Sequence, residues 1–233
     1  MEKLPLLREW LISQFKNTVV FAVLYGSHLY GTATTESDYD LYVIVSNDTI
    51  EDIIQFDIPI IGHIDICIMS ERTFHDNLRE NDVKALESIF VLPQYVIIGN
   101  QMIYQQKFVC YHPFLRNTFG KVCRNSWDRG VKKLTKETDP HEIKLGKKSL
   151  YHAIRLFICA NQLYMTGRIS FNDPRLQEAK NFYLGIRDKN VSELVENCKL
   201  KQEYLDLYKQ YDKEFRQIPN EEQYSQLMRK RGN

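Results

Sequence analysis

Residues 19–46 read VVFAVLYGSHLYGTATTESDYDLYVIVS, and the order of apolar runs, glycine and acids in this stretch decides the fold. The run 19–25 is apolar and β-rich and stops at Gly26. That predicts a buried strand closed by a tight turn. Small and polar residues follow, read as a short helix or loop, and a second apolar run, LYVIV, starts at Leu41. Side chains two apart on a strand share a face, so Asp38 and Asp40 point one way while Leu41, Val43 and Val45 turn to the core. A third acid, Asp65, lies in HIDICIMS, residues 63–70. The same alternation sets His63, Asp65 and Cys67 on one face and Ile64, Ile66 and Ile68 on the other.

Three carboxylates on neighbouring strands can converge. Like charges so close are costly unless a cation neutralises them. Hard oxygen donors suit Mg²⁺ or Mn²⁺, and Mg²⁺ favours a few carboxylates together with substrate phosphates. Gly26 permits close backbone approach. Ser27 offers a hydroxyl and an N–H at a turn where anions are favoured. Asp-x-Asp or Gly-Ser alone occurs in many turns. The discriminating residue is Asp65, because an acid between two isoleucines is expensive without partners. Thr32 either bonds phosphate or caps a short helix, and His63 flanks Asp65 closely enough to support a metal ligand.

The stretch YGSHLYGTATTESDYDLYVIV, with Asp65 added, resembles the signature of the DNA polymerase β-like nucleotidyltransferase superfamily in its minimal form. KKSLYHAIRLFICANQLYMTGRISF, residues 147–171, resembles the helical half of one branch. That branch comprises small stand-alone nucleotidyltransferases of bacteria and phages, some encoded beside RNA-repair ligases. The resemblance implies an α/β (α+β) fold, with a small mixed-sheet core and a helical C-terminal half. It implies transfer of a nucleoside monophosphate from a nucleoside triphosphate such as ATP to a hydroxyl, with release of pyrophosphate. By resemblance, Asp38 and Asp40 bind two Mg²⁺ or Mn²⁺ ions, Asp65 completes the triad and can act as base, and Gly26 and Ser27 hold the triphosphate. It also supports placing Lys148 and His152 near the nucleotide. The acceptor is not implied. An RNA end, a protein hydroxyl and a small molecule all remain open, as does a nucleotide-binding regulator without turnover.

With 233 residues, 43% of them hydrophobic, the chain can bury a proper core. It reads as two parts, a catalytic core over 1–100 and a helical nucleotide- or acceptor-binding half over 101–233. The charge is divided unevenly: residues 1–100 carry 6 Lys and Arg against 15 Asp and Glu, and residues 101–233 carry 25 against 15. The basic half suits phosphates of a nucleotide or nucleic acid. No run approaches the roughly 18 apolar residues of a membrane span. Residues 3–17 are charged throughout and read as an amphipathic helix rather than a signal peptide. Five scattered cysteines, without metal-ligand spacing, suit reduced thiols in the cytoplasm. Oligomeric state is left open.

Outside the signature, residues 49–62 predict a short helix and an edge strand, 71–90 a helical stretch, and 92–100 a turn and a strand. One long helix is expected over 143–166, ended by Gly167. It carries Lys148, His152 and Arg155 on one face. Further helices are expected over 174–189 and 190–215, with a frayed basic tail after them. Trp127 lies among basic residues, an arrangement that suits a single strand but is more plainly a core position on an amphipathic helix.

Overall fold

Two strands with the acids at their heads organise the first part of the chain. These are Tyr39–Val45 (β2) and Gly62–Ser70 (β4), paired in parallel. Val19–Leu24 (β1) pairs antiparallel with β2, and Asp52–Ile58 (β3) pairs antiparallel with β4. Val96–Ile98 (β5) pairs antiparallel with β1, giving one mixed sheet of order β3-β4-β2-β1-β5. The computed structural model describes residues 3–16, 18–46, 52–58 and 60–231. The chain divides into two compact units, Met1–Val109 and Cys110–Asn233.

In the first unit one face of the sheet is packed throughout, and the other is covered over β1 and most of β2 but exposed at β3. On the first, Leu41, Val43, Val45, Ile64, Ile66 and Ile68 join Leu7 and Leu11 of the helix Leu4–Phe15 (α1). Fully burying such a side chain contributes about 1.5–3 kcal/mol, so this face alone fixes the strand register. Tyr42 lies on the opposite face with Phe21, Phe74 and Tyr104, in a ring cluster with centroids 5.0–6.1 Å apart. Phe74 belongs to Glu71–Arg79 (α3) and Tyr104 to Gln101–Lys107 (α5).

The stretch expected to be helical over 71–90 is two helices, α3 and Val83–Phe90 (α4). Asn81 between them is left-handed at φ 56°, a conformation that asparagine tolerates. Ser70 and Asp82 cap the two N-termini, accepting from Thr73 N at 3.1 Å and from Ala85 N at 3.0 Å. The edge strand expected within 49–62 is β3; the helix expected beside it falls partly on residues outside those described.

The second unit is helical. His112–Lys136 (α6) and Pro140–Thr166 (α7) lie close along each other through two glycines. A Cβ on Gly130 would stand 2.6 Å from Leu150 Cδ2, and one on Gly146 would stand 3.0 Å from Lys133 Cβ. Gly167 ends α7 at φ 71°, as expected of a glycine there. Pro174–Arg187 (α8) follows.

The helix expected over 190–215 does not run through. Val191–Leu194 (α9) gives way to a small antiparallel hairpin, Val195–Glu196 with Lys199–Leu200, before Gln202–Phe215 (α10). Asn197 and Cys198, both with positive φ (50° and 58°), form its turn. Two consecutive left-handed residues are what a two-residue hairpin requires, and a cysteine in that role carries no sequence signal. The expected frayed tail is likewise helical over Glu221–Arg231 (α11). Asn220 Oδ1 accepts from Gln223 N at 2.9 Å, and Gln223 Oε1 accepts from Asn220 N at 3.0 Å, a reciprocal cap that starts the helix. Trp127 is a core residue, 5% exposed and stacked on Tyr208 at 4.2 Å.

Candidate active site

Asp40 and Asp65 are direct partners in the parallel register of β2 and β4. Asp38 stands two residues before Asp40, just ahead of β2, and is exposed. Beyond Asp40, residues 41–45 are all buried, so both faces of β2 are covered from there on. The acids therefore occupy the place where the sheet's second face opens to water, where charge can be kept.

The turn after β1 abuts these acids. Tyr25 N donates to Asp40 O at 2.9 Å, and Gly26 has φ +65°. A Cβ on Gly26 would stand 1.9 Å from Asp40 Oδ2. Glycine is thus required twice, for its backbone and for the carboxylate against it. Gly26–Leu29 forms one helical turn (α2). Ser27 O accepts from Thr32 N at 3.0 Å, from Ala33 N at 3.2 Å and from Thr32 Oγ1 at 3.4 Å. Thr32 is 8% exposed and closes this turn. The His28 ring stacks on Tyr39 at 4.4 Å, tying the turn to the head of β2.

Asp65 is engaged from the far side. Gln55 Nε2 donates to Asp65 Oδ1 at 2.9 Å, and His63 Nε2 is 3.4 Å from the same oxygen. His63 Nδ1 lies 2.8 Å from Asp57 Oδ1. The hydrogen bond to Asp57 raises the His63 pKa above its ordinary value, and the charges of Asp57, Asp38 and Asp65 add to this. Burial raises the Tyr25 hydroxyl pKa, helped by the charges of Asp40, Cys67, Glu87 and Asp65.

Among the described residues, no three His, Cys, Asp or Glu side chains are already gathered round a point where a metal could sit. The donor set nonetheless suits a hard divalent ion. It offers two carboxylates in direct register, a third two residues away, and a glycine that leaves room only for the Asp40 carboxylate.

Lys148 and His152 are on α7 in the second unit. Lys148 is exposed, and His152 Nδ1 lies 2.9 Å from Arg155 Nη2. Arg155, expected on one face with Lys148 and His152, is 5% exposed and so faces the interior, where exposed Lys148 does not. Neighbouring Lys147 is buried as well and donates to the carbonyls of Arg187, at 2.8 Å, and Lys189. Gln55 and Asp57 were not legible as site neighbours. Only the register of β3 against β4, which the sequence does not state, sets them opposite Asp65 and His63.

Residues 9–108 match the family model described as "Polymerase beta, Nucleotidyltransferase". No curated protein matches the chain. Among solved structures, a nucleotidyltransferase-like protein from Exiguobacterium sibiricum is similar at 10% identity and TM-score 0.35, over 90% of this chain and 73% of that one. At that similarity it has no bearing on function. The first unit, with its mixed sheet and paired acids behind a Gly-Ser turn, is a domain of the polymerase β nucleotidyltransferase family, whose chemistry is nucleotidyl transfer.

Proposed function

We propose that this protein moves a nucleoside monophosphate from a nucleoside triphosphate to a hydroxyl acceptor, with Asp38, Asp40 and Asp65 as its working acids. The observation that carries this reading is the direct pairing of Asp40 with Asp65 at the open heads of two parallel strands, beside Gly26. The three carboxylates would hold two Mg²⁺ or Mn²⁺ ions. Bound there, the ions neutralise charge on the phosphate oxygens as Lewis acids. Gly26 and Ser27 present backbone and hydroxyl to the triphosphate. Asp65 takes the proton of the attacking hydroxyl as its oxygen bonds to the α-phosphorus. The bond from that phosphorus to the β-phosphate bridging oxygen breaks, and pyrophosphate leaves. Lys148 and His152 are proposed as nucleotide contacts on resemblance alone.

An RNA end is the acceptor we favour. The excess of Lys and Arg over residues 101–233 supports it. So does a cavity of about 490 Å³ in the second unit, where Arg116, Arg124 and Arg216 outnumber Asp212 and Glu221. Incubating the protein with each α-³²P-labelled nucleoside triphosphate and Mg²⁺ or Mn²⁺, with total RNA, lysate protein or neither, tests the reading. Label on RNA is expected, with binding that weakens steeply as salt rises. Label on a protein band would replace the RNA acceptor by a protein hydroxyl. Absence of both label and pyrophosphate release under every condition would overturn the transfer reading.

A further inference from the structure

Asp65 is held from the edge of the sheet by groups that the transfer chemistry does not use. In the antiparallel register of β3 and β4, Gln55 stands opposite Asp65 and Asp57 opposite His63. Two cross-strand pairs thus adjoin on one face. Gln55 Nε2 donates to Asp65 Oδ1 at 2.9 Å. A carboxylate only accepts, so the 2.8 Å contact of His63 with Asp57 is a bond donated by Nδ1–H. That bond turns the ring so that Nε2 comes within 3.4 Å of Asp65 Oδ1. Both contacts on Asp65 fall on the same oxygen. Oδ2 is therefore the oxygen that an incoming ligand meets without displacing them. The chain runs inward from water: the Asp57 side chain is 88% exposed, that of His63 35% and that of Asp65 30%.

We propose that Asp57, His63 and Gln55 form a positioning relay that fixes the carboxylate plane of Asp65 and thereby sets the divalent-ion affinity of the site. The proposal rests on the nucleotidyl-transfer reading above. A carboxylate hydrogen-bonded at one oxygen by Gln55 and flanked there by the His63 ring cannot swing freely. An ion that meets it then loses less side-chain freedom than with an unrestrained acid. Removing such outer partners of a ligand typically lowers metal affinity or activity by about 10–100-fold. A purely structural surface pair would behave otherwise, since its loss would alter stability slightly and leave ion binding untouched.

The test is Mn²⁺ binding to the full chain with an α,β-methylene triphosphate analogue, read by electron paramagnetic resonance, beside thermal unfolding. Asp57 is so exposed that Asp57→Ala will not threaten folding. We expect Asp57→Ala and Gln55→Ala each to weaken Mn²⁺ binding by about 10-fold or more, at an unchanged unfolding temperature. Asp57→Asn, whose carbonyl oxygen still accepts from His63, should restore most of the loss. In turnover, kcat should fall while the KM for the nucleotide holds. Mn²⁺ binding in Asp57→Ala and Gln55→Ala equal to wild type, with Asp65→Ala impaired, would overturn the relay and leave the transfer reading standing. If the wild-type protein itself binds no Mn²⁺ with the analogue, both fall together.

Discussion

Gly26 and Asp40 are in such close contact that a methyl group on the glycine would stand 1.9 Å from the Asp40 carboxylate oxygen. Gly26→Ala therefore displaces a proposed ion-binding acid and also strains a backbone at φ +65°. The strain costs about 1–2 kcal/mol. Misplacement of a reacting group by about 1 Å can cost 10²-fold in rate, so pyrophosphate release should drop by about that factor. Near-normal turnover in Gly26→Ala, measured by coupled pyrophosphate assay, would show that Asp40 is not where the chemistry occurs.

Asp38→Ala and Asp65→Ala should separate activity from folding. Each removes one of several like charges held at one end of the sheet, which relieves repulsion. The unfolding temperature should stay level or rise slightly in Asp38→Ala and stay close to wild type in Asp65→Ala, where the bond from Gln55 is also lost, while transfer falls by more than the about 10–100-fold typical of outer partners. Retention of activity in both variants would sink the proposed mechanism.

The cysteines should react in a set order. Burial pushes the Cys110 thiol up to about 11 and the Cys123 thiol well above its ordinary value. The thiolate is the nucleophile, so at pH 8 both remain protonated and slow. Because the shift is upward, the rate for Cys110 should climb as pH rises towards about 11. Cys198, exposed in the hairpin turn, should label first with a disulfide reagent. Peptide mapping after brief labelling checks the order, and early modification of Cys123 would contradict its burial.

Each unit contains one tryptophan. Trp10 meets Phe56 edge-on at 4.9 Å, and Trp127 stacks on Tyr208 at 4.2 Å. Gly130→Ala drives a methyl towards Leu150 Cδ2 and to 3.0 Å from Gly146 O. Overpacking of this kind costs about 1–3 kcal/mol, against about 1 kcal/mol gained by alanine over glycine within a helix. In a Trp10→Phe background, the Trp127 fluorescence transition should move to lower denaturant. A shift to higher denaturant would mean that α6 and α7 can part without loss.

The acids and the turn were legible because each rests on local rules. An apolar run closed by Gly26, a two-residue spacing between Asp38 and Asp40, and an acid between Ile64 and Ile66 are read by periodicity alone. The helix broken at Asn81 and the hairpin at Asn197–Cys198 were not legible. There a left-handed residue interrupts a sequence whose composition still suits a helix. The apolar alternation of β2 and β4 placed one face in the core. It could not show that Tyr42, on the other face, is covered too, because that cover comes from Phe74 and Tyr104, distant in sequence.

By itself the sequence determined that acids lie towards the starts of two strands behind a Gly-Ser turn, and hence the class of chemistry. Alternation and turn geometry act over a few residues and leave their mark in the order of side chains. Only the tertiary structure decided which acid faces which and what holds Asp65. Strand pairing brings Asp40 beside Asp65, and Gln55 and Asp57 beside Asp65 and His63, through backbone registers set by the burial of whole faces rather than by any neighbouring residue.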